Sequence, residues 1–323
     1  MSPPATRLMD GARRVLFSPR LPFEMRSRLF YWYRKRSWPT RHPQSFSEKL
    51  HYKMAYDRRP LLTVTTDKVA VRDYVTRAVG PEVLTQLIAV ESDPARLDVE
   101  HFPAEFVVKP NHASGLAWIV SDRIASTIAP DDAAREAPGV ITTARTGIDR
   151  RRLVETSRRW LATSYADVEL EWGYRHIPRR IMVEELLVGA GGQIPQDYKL
   201  YVFNGGVRLI EVHTGRFGRH CCDLFRPDWS SVATQFAEPP ADPTPSPPDS
   251  LERMLQIAET LGRETDFVRV DLYDIGGRVV FGELSSYPAG IDARYMFQES
   301  LDREIGTYWR LPRRYDAGEV APT

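Results

Sequence analysis

The sequence predicts an α+β fold, and three observations carry that prediction. In residues 266–288, Val268, Val270 and Leu272 fall on one side of an extended strand and Arg269 and Asp271 on the other; Gly276-Gly277 reads as a tight turn and 278–283 as the returning strand. Residues 197–203 alternate in the same way, and Asn204-Gly205-Gly206 turns them back into 207–213. Neither pair is joined through a helix, so these strands are antiparallel hairpins and not the strand–helix–strand units of a parallel sheet.

The remaining elements follow from local pattern. Residues 5–37 read as one or two short helices broken around Ser18-Pro19 and Pro22, closed by Pro39 and Pro43. A helix starts at Phe46 and runs towards Tyr56; another spans 66–79, with Val69, Tyr74 and Val75 among its apolar positions and Gly80-Pro81 as its stop. Residues 84–90 are strand-like, 106–110 form a short buried strand ending in Lys109-Pro110, and 116–120 form another after a small-residue loop. Residues 122–149 are polar and poorly periodic, as in a loop or insertion. A helix over 151–165 carries Leu153, Val154, Trp160 and Leu161, and 181–187 read as an apolar strand running into acidic residues. Six prolines in 239–248 mark a stiff linker, and Asp249 with Glu252 is the signature of a capping box for a helix over 251–261.

Composition is that of a globular chain, 42% hydrophobic and 27% charged. No apolar run approaches the roughly 18–20 residues of a membrane span, and no apolar stretch follows the first charges, so no signal peptide is expected. The adjacent Cys221 and Cys222 cannot build a disulfide framework. A soluble, cytoplasmic protein of one large or two modest domains is the expectation. The net charge of +1 hides an asymmetry: residues 1–41 hold ten Lys/Arg against Asp10 and Glu24, which is +8 and leaves −7 for the rest. Aromatics interleave with these charges at 29–33. Such a segment either docks its rings on the protein and leaves its charges in water, or rests on an anionic membrane or a polyanionic glycan; nucleic acid is not expected.

Local features then bear on chemistry. Asp271 and Glu283 share a sheet face only if an odd loop or a one-residue bulge shifts their register, and Gly276-Gly277 is expected to supply that bulge. Two carboxylates would then converge beside Arg269. Like charges that close push one pKa up, and a divalent cation such as Mg²⁺ removes the conflict. Lys109 stands before Asn111-His112-Ala113-Ser114-Gly115, whose backbone N–H groups could lie over phosphate oxygens, although the same residues also suit an ordinary strand end. Lys68, in the first turn of its expected helix, is disfavoured by the helix dipole and is either exposed or placed for an anion. A zinc site around Arg216, His220, Cys221, Cys222 and Asp223 is conceivable, but the Cys-x-x-Cys spacing of structural zinc is absent.

In this order, Lys68, Lys109, Glu184, Glu185, Asp197, Lys199, Arg269, Asp271 and Glu283 resemble the ATP-grasp superfamily. FSEKLHYKMAYDRRPLLTVTTDK, FVVKPNHASG, EWGYRHIPRRIMVEELL, DYKLYVFNGG and FVRVDLYDIGGRVVFGELSSYP are more closely similar to its TupA-like branch, associated with teichuronopeptide and other surface-polysaccharide biosynthesis. The resemblance implies two α+β lobes clamping ATP, with a basic, aromatic helical extension over 1–60, an N-terminal lobe over 61–180 and a C-terminal lobe over 181–323. It implies that Lys68 and Lys109 touch phosphates, that the loop with His112, Ser114 and Gly115 closes over them, that Glu184, Glu185 and Leu186 receive adenine, and that Asp197 receives ribose. Arg269, Lys109 and Lys199 would neutralise the phosphoryl group in transfer, and Asp271, Glu283 and Ser285 would hold Mg²⁺, Ser285 standing where many members have Asn. The implied chemistry is ATP-dependent ligation of a small-molecule or glycan-precursor carboxylate to an amine through an acyl phosphate. A kinase on the same scaffold and a non-catalytic nucleotide- or glycan-binding partner of a polysaccharide assembly complex are the rival readings. The N-terminal segment lacks the βαβ pattern of the domain that precedes the core in many of these ligases, so the substrates stay unnamed.

Overall fold

The computed structural model describes residues 18, 21–35, 38, 40, 42–127, 139–189, 192–215, 219–233, 236, 238–290, 297–312 and 315. Helix α1 (Phe23–Lys35) follows Pro22; the part of the expected helical segment over 5–17 lies outside the described residues. Helix α2 (Phe46–Tyr56) starts at a complete capping box, in which the Glu48 N–H donates to Ser45 Oγ at 3.3 Å and the Ser45 N–H to Glu48 Oε2 at 3.2 Å. The helix expected over 66–79 begins later, as α4 (Val71–Val79), and an unexpected short helix α3 (Pro60–Thr66) precedes it. Asp67 separates them. Its backbone turns extended, with ψ 110°, while its carboxylate accepts from the Val69 N–H and from Asn111 Nδ2. Lys68 therefore lies in a turn between helices rather than in a first helical turn.

Among the described residues the strands form two five-stranded sheets. The first contains β1 (Leu87–Glu91), β2 (Phe106–Pro110), β3 (Ala117–Val120), β4 (Val140–Thr143) and β5 (Ile181–Glu185), in the order β1-β5-β2-β3-β4. Only the β3–β4 pair is parallel. Helix α5 (Asp122–Thr127) and β4 occupy part of the stretch read as a loop; β4 is half-buried at all four positions, so no alternation betrays it. Leu153 and Trp160 of α6 (Arg150–Ala162) pack with Phe106, Val108, Trp118 and Val183 against this sheet, and α7 (Tyr165–Glu169) follows.

The second sheet contains β6 (Asp197–Phe203), β7 (Gly206–Thr214), β8 (Cys221–Phe225), β9 (Phe267–Ile275) and β10 (Arg278–Ser285), antiparallel throughout in the order β10-β9-β6-β7-β8. Its turns at Asn204-Gly205 and Gly276-Gly277 hold φ at 47°, 81°, 59° and 88°, the positive values that two-residue hairpin turns demand. Helix α8 (Leu251–Gly262) has Ser250 at its N-cap position without a side-chain cap, and the capping box expected from Asp249 is not formed: Ser250 Oγ donates to Asp274 Oδ2 at 2.5 Å instead.

The two faces of this sheet differ. Tyr198, Leu200, Val202, Val268, Val270 and Leu272 face Met254, Ile257 and Leu261 of α8 and Val71, Tyr74 and Val75 of α4. Each such burial contributes about 1.5–3 kcal/mol. The opposite face is divided. Tyr201, Phe203 and Phe267 pack on Phe46, Leu50 and Met54 of α2 and on Leu301 and Ile305 of α9 (Glu299–Tyr308), whereas Asp197, Lys199, Arg269 and Asp271 occupy the other half.

Two expected boundaries move. Strand β5 pairs with β1 and β2, so the chain leaves the first sheet after Glu185 and not before Ile181. Phe46, Leu50 and Leu62, with Val71 and Val75, pack on the second sheet, so 46–79 belongs with that sheet rather than with an N-terminal extension or the first lobe. Among the described residues no helix is long and apolar enough to cross a membrane.

Candidate active site

Strand register assembles the polar half of the second sheet. Lys199 lies opposite Asp271 and Tyr201 opposite Arg269 across β6 and β9; Asp271 lies opposite Glu283 and Arg269 opposite Ser285 across β9 and β10. The last pairing does use a one-residue bulge, but not at the double glycine. The Gly276-Gly277 turn is regular, and the register shifts between Phe281 and Glu283, at Gly282. A Cβ on Gly282 would lie 2.9 Å from Tyr273 Cε2 and 3.1 Å from Asp271 O, so the strands approach this closely only over a glycine.

Arg269 spans both acids. Its Nε donates to Asp271 Oδ1 at 2.7 Å, and its Nη2 donates to Asp271 Oδ2 at 2.7 Å and Glu283 Oε1 at 3.2 Å. Lys199 Nζ reaches Asp271 Oδ2 at 2.7 Å and Asp197 Oδ2 at 2.8 Å. Lys68 Nζ donates to Ala113 O at 3.0 Å and lies 3.6 Å from Glu283 Oε2. Burial pushes the Asp271 carboxyl up, but Arg269 and Lys199 outweigh it and bring it down to about 2. Burial also opposes ionisation of Glu283; Lys68 and Arg269 overcome both that and the neighbouring Asp271 and hold it below the ordinary range. The expected conflict between two like charges is thus already resolved by three cations. Glu171 goes the other way: burial, then Glu169 and Glu283, push its carboxyl well above the ordinary range.

A second group sits on the first sheet. Lys109 forms a close ion pair with Glu184, whose Oε2 accepts from Thr85 Oγ1 at 2.9 Å, and Glu185 Oε1 accepts from the Gln86 N–H at 2.8 Å. Leu186 follows, half-buried. In the loop between β2 and β3, buried Asn111 donates through Nδ2 to Asp67 Oδ1 and Pro178 O and accepts the Arg180 N–H. His112 is turned into the lobe, its Nε2 3.2 Å from Trp160 O, and burial, then Arg179, lowers its pKa. Ser114 lies beside the Tyr165 hydroxyl, and Gly115 is exposed with φ 71°. Lys68 ties the two groups together, since its N–H donates to Asn111 O while its ammonium faces Glu283.

Asp197, Lys199, Arg269, Asp271, Glu283 and Ser285 therefore share one sheet face with Lys68 above them, and Lys109, Glu184, Glu185 and Leu186 form the companion group. Sequence reading gave Asn111 only a backbone role and missed Thr85 and Glu171; the side-chain bonds of Asn111 to Asp67 and of Thr85 to Glu184 join residues distant in the chain and leave no periodic signal. The donor set suits Mg²⁺: Asp271 and Glu283 are hard oxygen ligands on adjacent strands, and Glu283 keeps 30% of its side chain exposed.

The sequence profile of the TupA-like ATPgrasp family matches residues 48–310. No curated protein matches the chain. Among solved structures it is similar to a D-alanine–D-alanine ligase from Helicobacter pylori, at 15% identity and TM-score 0.43 over 84% of this chain and 68% of that one. It is similar to the ATP-grasp ligase PsnB complexed with a phosphomimetic variant of a minimal precursor, Mg and ADP, at 13% identity and TM-score 0.43 over 94% and 71% of the two chains. An L-amino acid ligase from Bacillus licheniformis aligns at 12% identity and TM-score 0.39, over 90% and 56%. With its profile spanning both sheets and every residue of the polar face just described, the chain belongs to the TupA-like ATP-grasp family.

Proposed function

We propose that the protein is an ATP- and Mg²⁺-dependent carboxylate–amine ligase, working in the cytoplasm on a small-molecule or glycan-precursor acid for cell-surface polysaccharide or small-amide synthesis. The observation that carries this reading is the arrangement of ion pairs on the second sheet: Arg269, Lys199 and Lys68 are held by Asp271 and Glu283, carboxylates that also suit a metal. Asp271 and Glu283 would hold the cation of a magnesium–nucleotide, and Arg269, Lys199 and Lys68 would hold its phosphate oxygens. When bound, Mg²⁺ supplies charge neutralisation at the phosphates, with Asp271 and Glu283 as its ligands and the Ser285 hydroxyl on the same face.

The chain's own residues divide the remaining work. Lys68 and Lys109, with the N–H groups of Ser114 and Gly115, would hold the phosphates, and His112 would brace that loop from beneath. Glu184, Glu185 and Leu186 would receive adenine and Asp197 the ribose. Arg269 and Lys199 would stabilise the charge on the phosphoryl group as it passes to the carboxylate, which is where preorganised cations lower a barrier most. The resulting acyl phosphate is open to attack by an amine. Exposed Met25, Arg28 and Trp32 on the outer side of α1, with Trp38 stacked on Trp32 at 5.9 Å, support peripheral contact with an anionic membrane.

ADP release over a panel of uronic acids, amino acids and nucleotide sugars, alone and with amines, tests the reading. Release that requires both Mg²⁺ and a carboxylate supports it. Release no faster with any acid than with ATP alone counts against it.

A further inference from the structure

Beyond the nucleotide chemistry, the outer strands of the second sheet gather a different set of donors. Antiparallel pairing of β7 with β8 sets His213 directly opposite Cys222, and the two-residue period of β7 puts Glu211 on the same face. His213 Nε2 lies 2.5 Å from Glu211 Oε1 and 3.9 Å from Cys222 Sγ, and the three donor atoms all fall within 4.8 Å of one another. All three side chains are largely buried.

We propose that Glu211, His213 and Cys222 bind one thiophilic divalent cation, Zn²⁺, at a site distinct from the Asp271–Glu283 pair. Tetrahedral zinc with ordinary bond lengths sets its ligand atoms about 3.3–3.8 Å apart. The imidazole–thiol separation is already close to that, and the imidazole–carboxylate contact has to open by about 1 Å. The surroundings orient the ligands as outer partners of a metal do. The second imidazole nitrogen, His213 Nδ1, faces His220 Nε2 at 2.9 Å; His220 Nδ1 in turn lies 3.8 Å from Glu238 Oε1. With zinc bound, a proton on Nδ1 shared with His220 would leave the Nε2 lone pair to the metal in place of the present contact with Glu211. The other carboxylate oxygen, Glu211 Oε2, accepts from the Tyr201 hydroxyl at 2.6 Å. Thiol, imidazole and carboxylate together select Zn²⁺ over Mg²⁺, and binding displaces the thiol proton to solvent as the zinc–sulfur bond forms. Three protein ligands leave a fourth position for water or a ligand atom. The Glu211 strand position pairs with Lys199, so this metal sits beside the nucleotide face without sharing its ligands.

The test is a Co²⁺ titration of the full chain, stripped by chelator and held in excess Mg²⁺ so that the oxygen site is filled. The expected result is one Co²⁺ per chain with a near-ultraviolet thiolate-to-cobalt charge-transfer band, which added Zn²⁺ removes. Cys221→Ser retains the band, and since the chain has only two cysteines the sulfur is then Cys222. Cys222→Ser abolishes it, and His220→Ala weakens binding about 10–100-fold by loosening the imidazole. Absence of the band in wild type or in Cys221→Ser at saturating Co²⁺ overturns the proposal, as does its persistence in Cys222→Ser. The result is independent of ATP turnover, so failure here and failure of the ligase reading are separable.

Discussion

Arg269 is the side chain on which the polar half of the second sheet depends, because one guanidinium bonds both Asp271 and Glu283. Asp271→Asn and Glu283→Gln are each expected to abolish ATP turnover, but they should differ in stability. Asp271 is buried and also binds Lys199, so neutralising it leaves two cations short of a partner and costs about 3 kcal/mol in urea unfolding. Glu283 is more exposed, so its replacement costs about 1 kcal/mol or less. Equal losses would argue that Asp271 is not held by these cations. Lys109→Met is expected to lower kcat by roughly 10²–10³, about 3–4 kcal/mol, as loss of one positioned charge does at a transition state. Its stability should change by no more than about 1 kcal/mol, since Glu184 keeps its bond to Thr85. A kcat within a few-fold of wild type would remove Lys109 from the phosphate site. That Arg269 and Asp271 face together on β9 was legible in the sequence, because alternation fixes it; that Glu283 joins them was legible only as the consequence of a bulge, which the structure places at Gly282. The orientation of His112 was not, because a turn residue has no period, and neither was the meeting of His213 with Cys222, because register across two separate strands is a tertiary property.

At the scale of elements, the hairpins were readable from Asn-Gly and Gly-Gly, while the bulge was attributed to the wrong glycine. Gly277 and Gly282 therefore make an informative pair. Gly277→Ala forces a β-carbon into a positive-φ turn and should cost about 1–2 kcal/mol with turnover intact. Gly282→Ala presses on Tyr273 and the Asp271 carbonyl, so it should cost about 1–3 kcal/mol and also displace Glu283. Retained Mg²⁺-dependent turnover in Gly282→Ala would show that the bulge does not position the acid. The junction of α2 with β9 rests on buried Asp266, which accepts from Lys53, Arg59, Trp309 and Tyr315. Burial opposes its charge, but Lys53 and Arg59 hold it well below the ordinary carboxylate range. A folded pKa depressed in this way contributes stability that is complete above about pH 4, the unfolded value, and is lost as pH falls towards the folded one. Asp266→Asn is expected to lose about 3–5 kcal/mol at neutral pH and to show a shallower acid limb than wild type by circular dichroism. An unchanged acid limb would assign acid unfolding to other groups. The late start of the helix expected over 66–79 was not legible, since Asp67 interrupts the chain through a contact with Asn111 that lies far along it.

Across the whole molecule, the sequence indicated an α+β chain with two carboxylates on a hairpin, but it misplaced the passage between the sheets. Ile181–Glu185 looks the same whether it pairs forward or backward, and only its non-local partners assign it to the first sheet. The N-terminal arm divides in a similar way. Phe23 and Tyr31 dock inward and Arg26 pairs with Asp167 at 2.6 Å, while Trp32 and Trp38 face outward. Replacing both outward tryptophans with serine should leave the melting temperature unchanged and weaken sedimentation with anionic vesicles; wild-type binding should also weaken as salt shortens the screening length from about 10 Å at 0.1 M. Binding that is absent, or indifferent to salt, would dismiss the membrane contact. Hydroxylamine interception shows whether the assembled cations and acids activate a carboxylate. With ATP, Mg²⁺ and a carboxylate that stimulates ADP release, hydroxylamine in place of the amine should yield a hydroxamate in step with ADP, and Arg269→Ala should yield neither. Brisk ADP release accompanied by a stable phosphorylated hydroxyl product and no hydroxamate would contradict it and identify a kinase.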